Sequence, residues 1–446
     1  MSCAAIAVRV EAMVGKLDNR IERTLAVAAF IQFFFCVILA VAIPKATTVS
    51  LGILVAGSLF VRLLHVPGRT MDFTVPIARW LALMVLPAWI AVSSFWSDDP
   101  EAAYTAAICL AFPMIAYGVV ASSSNVLPTQ VVRACHNGFM AGVALAVVAA
   151  AIDVMSEQGL SRWVFSTWPN LPEAQTRHVA FENGTAVFVS EATPNRRAIV
   201  LVCLLPAFIH GISKLRTRAQ MSLIAIPGLL GYGALLMSTR SLTAQMAVGA
   251  GALVFLAAIY TPRINLLGLS SAWIAIWILV VPSVLLMAEA RFDQAPWLPP
   301  SAAERVEIWS GVAQDVRDRP YFGHGVGAEA YTSVLDKTHE ADTTRVSAHH
   351  PHNGFLQIWH ELGGFGVVLF SVFGLWLMGR IRLLPQDVTA HFYGLFAICG
   401  AISATGFGLW QHWHLSAFGL AAGLLRVVSN REQPKIHQPT VSMETL

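Results

Sequence analysis

A succession of long apolar stretches limits the folds open to this chain more than any other feature. A helix that crosses a bilayer needs about 20 mostly apolar residues. Only 12% of the 446 residues are charged, against roughly 25% in a typical soluble domain. The predicted fold class is therefore an all-α polytopic membrane protein with about twelve transmembrane helices. We predict spans at 25–43, 47–64, 73–95, 104–122, 137–155, 197–212, 220–238, 241–260, 265–288, 353–378, 389–407 and 409–428.

Two polar stretches interrupt the apolar pattern, at 156–196 and at 289–352, and the second contains a predicted helix in "SAAERVEIWSGVAQDV". The resulting organisation has five parts: an N-terminal segment 1–24, nine helices within 25–288, a large loop domain 289–352, three helices within 353–428, and a tail 429–446. The N-terminal segment shows no short apolar core followed by a small-residue cleavage site, so we expect no removable signal peptide. None of the six cysteines falls in the long loop, so no disulfide framework is expected there.

Lysine and arginine in short loops indicate the orientation, because they favour the cytoplasmic side of a membrane. With a cytoplasmic N-terminus, every even-numbered loop is basic, as are both predicted cytoplasmic ends. The loop residues are Arg62, Arg69, Arg133, Lys214, Arg216, Arg218, Arg263, Arg380 and Arg382. This orientation places both polar stretches on the outer face. The net charge of +3 is too small and too dispersed to suggest a nucleic-acid partner.

Several arginines lie on the outer side, where orientation does not require them: Arg196, Arg197, Arg240 and Arg305. A guanidinium within a bilayer costs about 2.5–3.5 kcal/mol at a helix centre, so each of these groups is expected to have a partner. Two kinds of partner remain open. One is a lipid headgroup or a nearby glutamate (Glu191, Glu304 or Glu307), and the other is a bound phosphate, which arginine recognises with two parallel hydrogen bonds.

Histidines crowd the stretch "AHHPHNGFLQIWHELGGFG", at His349, His350 and His352. A histidine near its ordinary pKa of about 6.5 is a competent general base for a hydroxyl nucleophile. The alternative is a metal site completed by His412 and His414. Proline between two of the histidines and the absence of helical spacing argue against a preformed site, so we expect no metal and no cofactor. The pair Asp98-Asp99 resembles a metal–diphosphate ligand pair, but before Pro100 it is better explained as a helix cap.

A polar stripe follows on the tenth predicted span, where Asn353, Gln357, His360, Glu361 and Gly364 share one helical face. Such a face is expected to look into the bundle and not at lipid. Its role is either to line a wet cavity, with Asn353 and Gln357 supporting the histidines, or to form a hydrogen-bonded seam between helices. For His360 and Glu361 we favour the seam, since they lie nearly two turns below His352.

Arginines and an imidazole together supply the two halves of one reaction. The arginines neutralise a diphosphate leaving group without a metal, and the histidine activates an acceptor hydroxyl. This combination is typical of glycosyl transfer from a diphosphate-linked sugar. The glycines of "GHGVG" at 323–327 would supply turns and a close backbone approach, either to a ligand or within the loop alone.

In the order of these segments, the chain resembles the superfamily of O-antigen ligases and O-antigen polymerases. The resemblance is carried by "AVSSFWSDDPEAA", "PNRRAIVLVCLLP", "LLMSTRSLTAQMAVGAGALVF", "SAAERVEIWSGVAQDVRDRPYFGHGVGAEAY", "HPHNGFLQIWHELGGFGVVL" and "GLWQHWHLSAFGLAAG". The resemblance implies a metal-independent, inverting glycosyltransferase of GT-C type in the bacterial inner membrane, with a periplasmic active site and a periplasmic loop domain between helices nine and ten. The donor would be a glycan on undecaprenyl diphosphate, and the acceptor lipid A-core or a growing glycan.

The resemblance also implies roles for individual residues. His352 matches the family's histidine and would be the base, although His349 and His350 beside it leave the choice of ring open. Three arginines match those thought to hold the diphosphate, namely Arg196, Arg240 and Arg305, and Arg197 could replace its neighbour. A ligase is the first expectation, and a polymerase of O-antigen or exopolysaccharide is the alternative with the same donor. A lipid or polysaccharide transporter is the alternative of another class, although no repeated half-sequences support it.

Overall fold

The computed structural model describes residues 3–65, 77–171, 174, 178–298, 300–328 and 350–430. Helices form nearly all of the regular structure in this part of the chain. They are α1 (Cys3–Ala42), α2 (Thr47–His65), α3 (Ile77–Val92), α4 (Pro100–Ser124), α5 (Thr129–Met155), α6 (Gly159–Thr167), α7 (Ala192–Ile212), α8 (Arg218–Ser238), α9 (Leu242–Tyr260), α10 (Pro262–Glu289), α11 (Pro300–Asp318), α12 (Gly354–Ile381), α13 (Gln386–Thr405) and α14 (His412–Val428). An antiparallel hairpin of β1 (Val179–Glu182) and β2 (Thr185–Val189) lies between α6 and α7.

The helices confirm the predicted fold class. Ten helical stretches among the described residues are long and apolar enough to cross a membrane. The third and twelfth predicted spans correspond to the shorter helices α3 and α14, of 16 and 17 residues. Each predicted span therefore matches a helix, and the chain is an all-α polytopic membrane protein.

Helix α7 lies at the centre of the bundle, where it packs against α5, α9, α13 and α14. Its side chains Ile199, Leu201, Leu204 and Phe208 are among the most deeply buried large residues. Small residues allow other helices to approach closely, as is usual where lipid supplies no hydrophobic driving force between helices. At Gly138 of α5, for example, an added Cβ would lie 2.3 Å from the backbone oxygen of Phe30 in α1.

Helix α12 is broken near its middle, at Gly363 (φ 61°, ψ −167°), a conformation open essentially to glycine alone. A break in a helix leaves main-chain groups without their usual partners. Here the segment after α11 supplies them. The backbone amides of His324 and Gly325 donate to the carbonyl oxygens of His360 and Glu361, each at 2.8 Å. On the other side of the break, the amides of residues 364 and 365 donate to the carbonyls of 320 and 321, at 2.8 and 3.0 Å.

The glycines of "PYFGHGVG" make this insertion possible. Gly323, Gly325 and Gly327 all have positive φ. An added Cβ at Gly323 would lie 2.5 Å from the carbonyl carbon of Glu361, and one at Gly325 would lie 2.5 Å from the Cα of Ser97. The close backbone approach predicted for these glycines is thus made to other parts of the protein. Three of the quoted sequence motifs, before α4, after α11 and along α12, meet at this point.

Candidate functional site

The candidate site is built around the turn between α13 and α14, residues 405–411, which we call the 405–411 turn. Buried polar side chains of α12 hold it in place. The Gln357 Oε1 accepts from the backbone amide of Leu409 at 2.9 Å, and its Nε2 donates to Glu361 Oε1 at 3.0 Å. The other oxygen of Glu361 accepts from the indole N–H of Trp410. Gln357 and Glu361 of the polar stripe therefore form a hydrogen-bonded seam that fixes the turn.

Asn353 positions the start of α12 beside this turn. Its Oδ1 accepts from the backbone amides of Phe355 and Leu356, both at 3.1 Å, which makes Asn353 the N-cap of the helix. The residue before it, His352, has a φ of 53°, an uncommon conformation for a residue other than glycine. Such conformations persist where the surroundings hold them, so the backbone of His352 is constrained by its neighbours.

The imidazole of His352 is oriented by a backbone carbonyl. Its Nδ1 lies 2.9 Å from the oxygen of Gly406. A carbonyl only accepts hydrogen bonds, so Nδ1 carries the proton and Nε2 keeps its lone pair. Burial lowers the pKa of His352 from its ordinary value; the Gly406 carbonyl partly opposes this shift and nearby Arg305 reinforces it. The ring is therefore neutral at pH 7, with Nε2 ready to accept a proton.

The second histidine of the cluster lies against the first. The ring centroids of His350 and His352 are 4.2 Å apart, in an edge-to-face arrangement. His350 also packs on Gly408 and lies 3.4 Å from the side-chain nitrogen of Gln411. His349 lies outside the described residues. Both described histidines thus contact the 405–411 turn.

Arg305 reaches the same turn from α11. Its Nη1 donates to the carbonyl oxygen of Thr405 at 2.8 Å, and the same oxygen accepts from the hydroxyl of Thr243 in α9, also at 2.8 Å. Burial lowers the pKa of Arg305, and Glu304 opposes this shift. An arginine nevertheless stays protonated at physiological pH. A fixed positive charge therefore stands close to the imidazole of His352.

Arg196 reaches the turn from the start of α7. Its guanidinium carbon lies 5.9 Å from the centre of the Phe407 ring, within the range of a cation–π interaction. Arg305, His352 and Arg196 thus contact three successive residues: Thr405, Gly406 and Phe407. The structure brings these three predicted site residues together from α11, the start of α12 and α7.

The two remaining arginines have other surroundings. Arg197 donates to Asp153 Oδ2 and Ser161 Oγ, both at 2.6 Å, and to the Ala42 carbonyl at 3.2 Å. It therefore ties α7 to α5, α6 and α1. Arg240 lies at the surface, where its Nη1 is 2.7 Å from Glu191 Oε1. This is one of the glutamate pairs that the sequence left open.

The remaining polar candidates take part in local structure. Asp99 caps α4, because its Oδ1 accepts from the amide of Ala102 at 3.0 Å. The Nδ1 of His412 lies 3.0 Å from the hydroxyl of Thr48. Within the described ranges, no group of three or more His, Cys, Asp or Glu side chains is arranged to hold a metal ion.

Sequence reasoning missed the 405–411 turn itself. Thr405, Gly406 and Phe407 carry no titratable group, and two of them act through backbone carbonyls that every residue possesses. The available signal was the pair of glycines in "TGFG", which interrupts the apolar stretch at the end of the eleventh predicted span.

The site thus belongs to a polytopic membrane protein with two arginines and a neutral imidazole at one end of its helix bundle. Comparison with known proteins agrees with this class: residues 227–371 match the family model described as O-Antigen ligase. This match confirms the resemblance to the O-antigen ligase superfamily. The matched segment contains Arg240, Arg305 and His352, and it ends before the 405–411 turn.

Curated relatives cover a smaller part of the chain. A protein of Rickettsia conorii named "Putative polysaccharide ligase" is 30% identical over 122 residues, which is 26% of this chain and 30% of the relative. A Rickettsia bellii protein with this name gives the same values. The Rickettsia prowazekii protein is 30% identical over 118 residues, 26% of this chain and 29% of that protein. The matched segment thus spans less than a third of each relative.

Proposed function

We propose that the chain is an O-antigen ligase-like glycosyltransferase. In this proposal it transfers a glycan from undecaprenyl diphosphate to an acceptor hydroxyl of lipid A-core at the periplasmic face of the bacterial inner membrane. The observation that carries the proposal is the convergence of Arg305, His352 and Arg196 on three successive residues of the 405–411 turn. The family match and the names of the relatives support the same activity.

The arginines bind and stabilise the leaving group. When the glycosidic bond breaks, its electron pair stays on the diphosphate oxygen, where negative charge develops. Fixed cations aimed at that charge lower the barrier without reorganising during the reaction. The Thr405 carbonyl uses one of the five N–H donors of Arg305 and orients the guanidinium. The proposed reaction needs no metal, with Arg305 and Arg196 as the diphosphate ligands.

His352 activates the acceptor. Its Nε2 takes the proton of the acceptor hydroxyl while the hydroxyl oxygen forms a bond to the anomeric carbon, opposite the departing diphosphate. This geometry inverts the anomeric configuration. The imidazolium that results stands beside the Arg305 cation, so the proton is released readily and the neutral base is restored. General base catalysis of this kind typically contributes about a hundred- to ten-thousand-fold.

The basic residues of the even-numbered loops support a periplasmic position for the site, because lysine and arginine in short loops favour the cytoplasmic side. A lipid-linked donor would then reach Arg305 from the outer leaflet, with its polyprenyl tail remaining among hydrocarbon. Neighbouring α11 would cover the diphosphate, since its Arg305 and the indole of Trp309 both contact the site. The indole donates to the carbonyl of Pro351 at 2.6 Å.

Deletion of the gene tests the proposal. Lipopolysaccharide from the deletion strain, viewed on a gel, should show intact core without O-chain, and a plasmid copy of the gene should restore the chain. Core bearing a single repeat would instead identify a polymerase, which uses the same donor with a growing glycan as acceptor. Unchanged banding would exclude both O-antigen roles and favour an exopolysaccharide substrate or the transporter alternative.

Purified protein gives the direct test. Incubation with a diphosphate-linked oligosaccharide and lipid A-core should yield the glycosylated core and release undecaprenyl diphosphate. A transporter would move the donor between leaflets of a vesicle without forming a glycosidic bond. Absence of transfer by wild-type protein, together with such movement, would overturn the proposed reaction.

A further inference from the structure

A large, partly open cavity lies between the helices and extends from beneath the candidate site toward the opposite end of the bundle. Its volume is about 850 Å³, within the roughly 300–1,000 Å³ of known ligand sites. Gly354, Ser403 and Leu409 line it near the 405–411 turn, and aromatic and aliphatic side chains line its middle, among them Trp273 and Phe396. The walls are therefore suited to hydrocarbon.

Positive charge collects at the far end of this cavity. Arg62, Arg380 and Arg426 all line it, and they lie near the C-terminal ends of α2, α12 and α14. Arg426 donates through Nη2 to the side-chain oxygen of Asn125, at 2.6 Å, where α4 ends. Three guanidinium groups from three helices thus border one apolar space at the end opposite the candidate site.

The lining of the cavity at this end is complementary to an anion. Among the described residues that line the cavity none is acidic. Arg380 is exposed and the other two arginines are half-buried, and charges beside an apolar space repel one another more strongly than in bulk water. A phosphate between them relieves this repulsion, and arginine recognises phosphate with paired hydrogen bonds. Basic pockets between transmembrane helices at the cytoplasmic side generally bind anionic lipid headgroups.

We propose that this cavity binds an anionic glycerophospholipid from the leaflet on the side of the basic loops. Its phosphate lies among Arg62, Arg380 and Arg426, and its acyl chains occupy the apolar walls toward Leu409. This site is distinct from the diphosphate site, which lies at the other end of the bundle. The proposal is also independent of the reaction proposed above, because it rests on the cavity and its arginines alone.

The contribution of positive charge to lipid binding is tested with Arg380→Gln. Arg380 is exposed, so loss of its guanidinium should leave α12 intact. Delipidated full-length protein is mixed with phosphatidylglycerol or phosphatidylcholine of the same acyl chains, and bound lipid is counted by native mass spectrometry. Wild type should prefer phosphatidylglycerol, and Arg380→Gln should bind it about tenfold more weakly, the loss expected for one charge-assisted hydrogen bond. The matched control is Arg382→Gln, an exposed neighbour that does not line the cavity.

The role of the cavity as the place of the acyl chains is tested with Gly400→Leu, which leaves every charge in place. Gly400 lines the cavity, and an added Cβ there meets no atom within 4 Å, so the leucine should project into the lipid space. The control is Gly249→Leu in α9, which also has open space but lies outside the cavity. Lipid binding should fall in Gly400→Leu and persist in Gly249→Leu, with both variants folded by thermal denaturation.

The proposal is overturned if wild type binds both lipids equally, or if Arg382→Gln weakens binding as much as Arg380→Gln. Equal binding by Gly400→Leu and wild type would exclude the cavity as the place of the chains. A competition arm with undecaprenyl phosphate decides the source of the phosphate: displacement of phosphatidylglycerol at equal concentration would assign the cavity to a polyprenyl lipid and reject a glycerophospholipid.

Discussion

Replacement of His352 by asparagine tests the catalytic base with little disturbance of the fold. Asparagine is among the few residues that adopt the left-handed conformation readily, so the φ of 53° at this position is retained. The lost hydrogen bond to the Gly406 carbonyl should cost about 1 kcal/mol of stability. A lost general base should cost about a hundred- to ten-thousand-fold in rate, which corresponds to about 3–5 kcal/mol in the activation barrier. The effect on rate should therefore far exceed the effect on folding.

Single-turnover transfer from a labelled diphosphate-linked oligosaccharide to lipid A-core, by purified protein, measures this rate. The matched control is His350→Asn, because its ring lies 4.2 Å from that of His352 and contacts the same turn at Gly408. We expect the control to remain within about tenfold of wild type. A nearly active His352→Asn beside an inactive His350→Asn would refute the assignment and identify the neighbouring ring as the base.

Steady-state transfer by the purified protein also has a pH dependence with a defined sign. Burial and the Arg305 cation lower the folded-state pKa of His352 below its ordinary value, which is about 6.5. The active, neutral imidazole thus predominates above pH 6.5 and is lost as the pH falls through the lowered pKa. The acid limb of kcat/KM should therefore lie below pH 6.5 and be absent from the residual activity of His352→Asn. An acid limb above pH 7 would contradict the geometry.

Three further outcomes are expected. Arg305→Lys should lower transfer by about a hundredfold, because an ammonium does not reproduce the planar fork of a guanidinium. The control is Arg240→Lys, at an exposed residue paired with Glu191, which should stay within a few-fold of wild type. Equal losses of transfer in the two variants would reject separate roles for the two arginines. Arg197→Met should destabilise the fold by about 3–5 kcal/mol, since it leaves the buried carboxylate of Asp153 without its positively charged partner. The added Asp153→Asn change should raise the melting temperature again if this explanation holds. EDTA should leave transfer by purified protein unchanged, and inhibition that zinc reverses would restore the metal alternative.

Features set by neighbouring residues were predictable from the sequence. The predicted spans follow from local apolar content, which the sequences of α4 and α5 show whatever surrounds these helices. The cap at Asp99 was equally predictable, since an aspartate before Pro100 satisfies the first free amides of the helix. These interactions extend over a few residues, so no knowledge of the packing was needed.

The division of labour among the arginines was not predictable in this way. Arg196 and Arg197 are adjacent, yet successive positions of a helix point about 100° apart, so one faces Phe407 and the other faces Asp153. Which of them meets the site depends on the rotation of α7 within the bundle, and no local pattern records that rotation. The surface position of Arg240 was equally unpredictable, because its ion-pair partner, Glu191, is distant in the sequence.

The inserted segment at Gly363 has a consequence for the variation that relatives of this protein tolerate. Four main-chain hydrogen bonds join residues 320–325 to both halves of α12, so adding or deleting one residue there would shift donors away from acceptors along the whole junction. Side chains in the segment are freer to change than its length. Among homologous sequences, gaps should therefore avoid residues 320–325 even where identity is low, and aligned chains with an insertion there should lack the helix break.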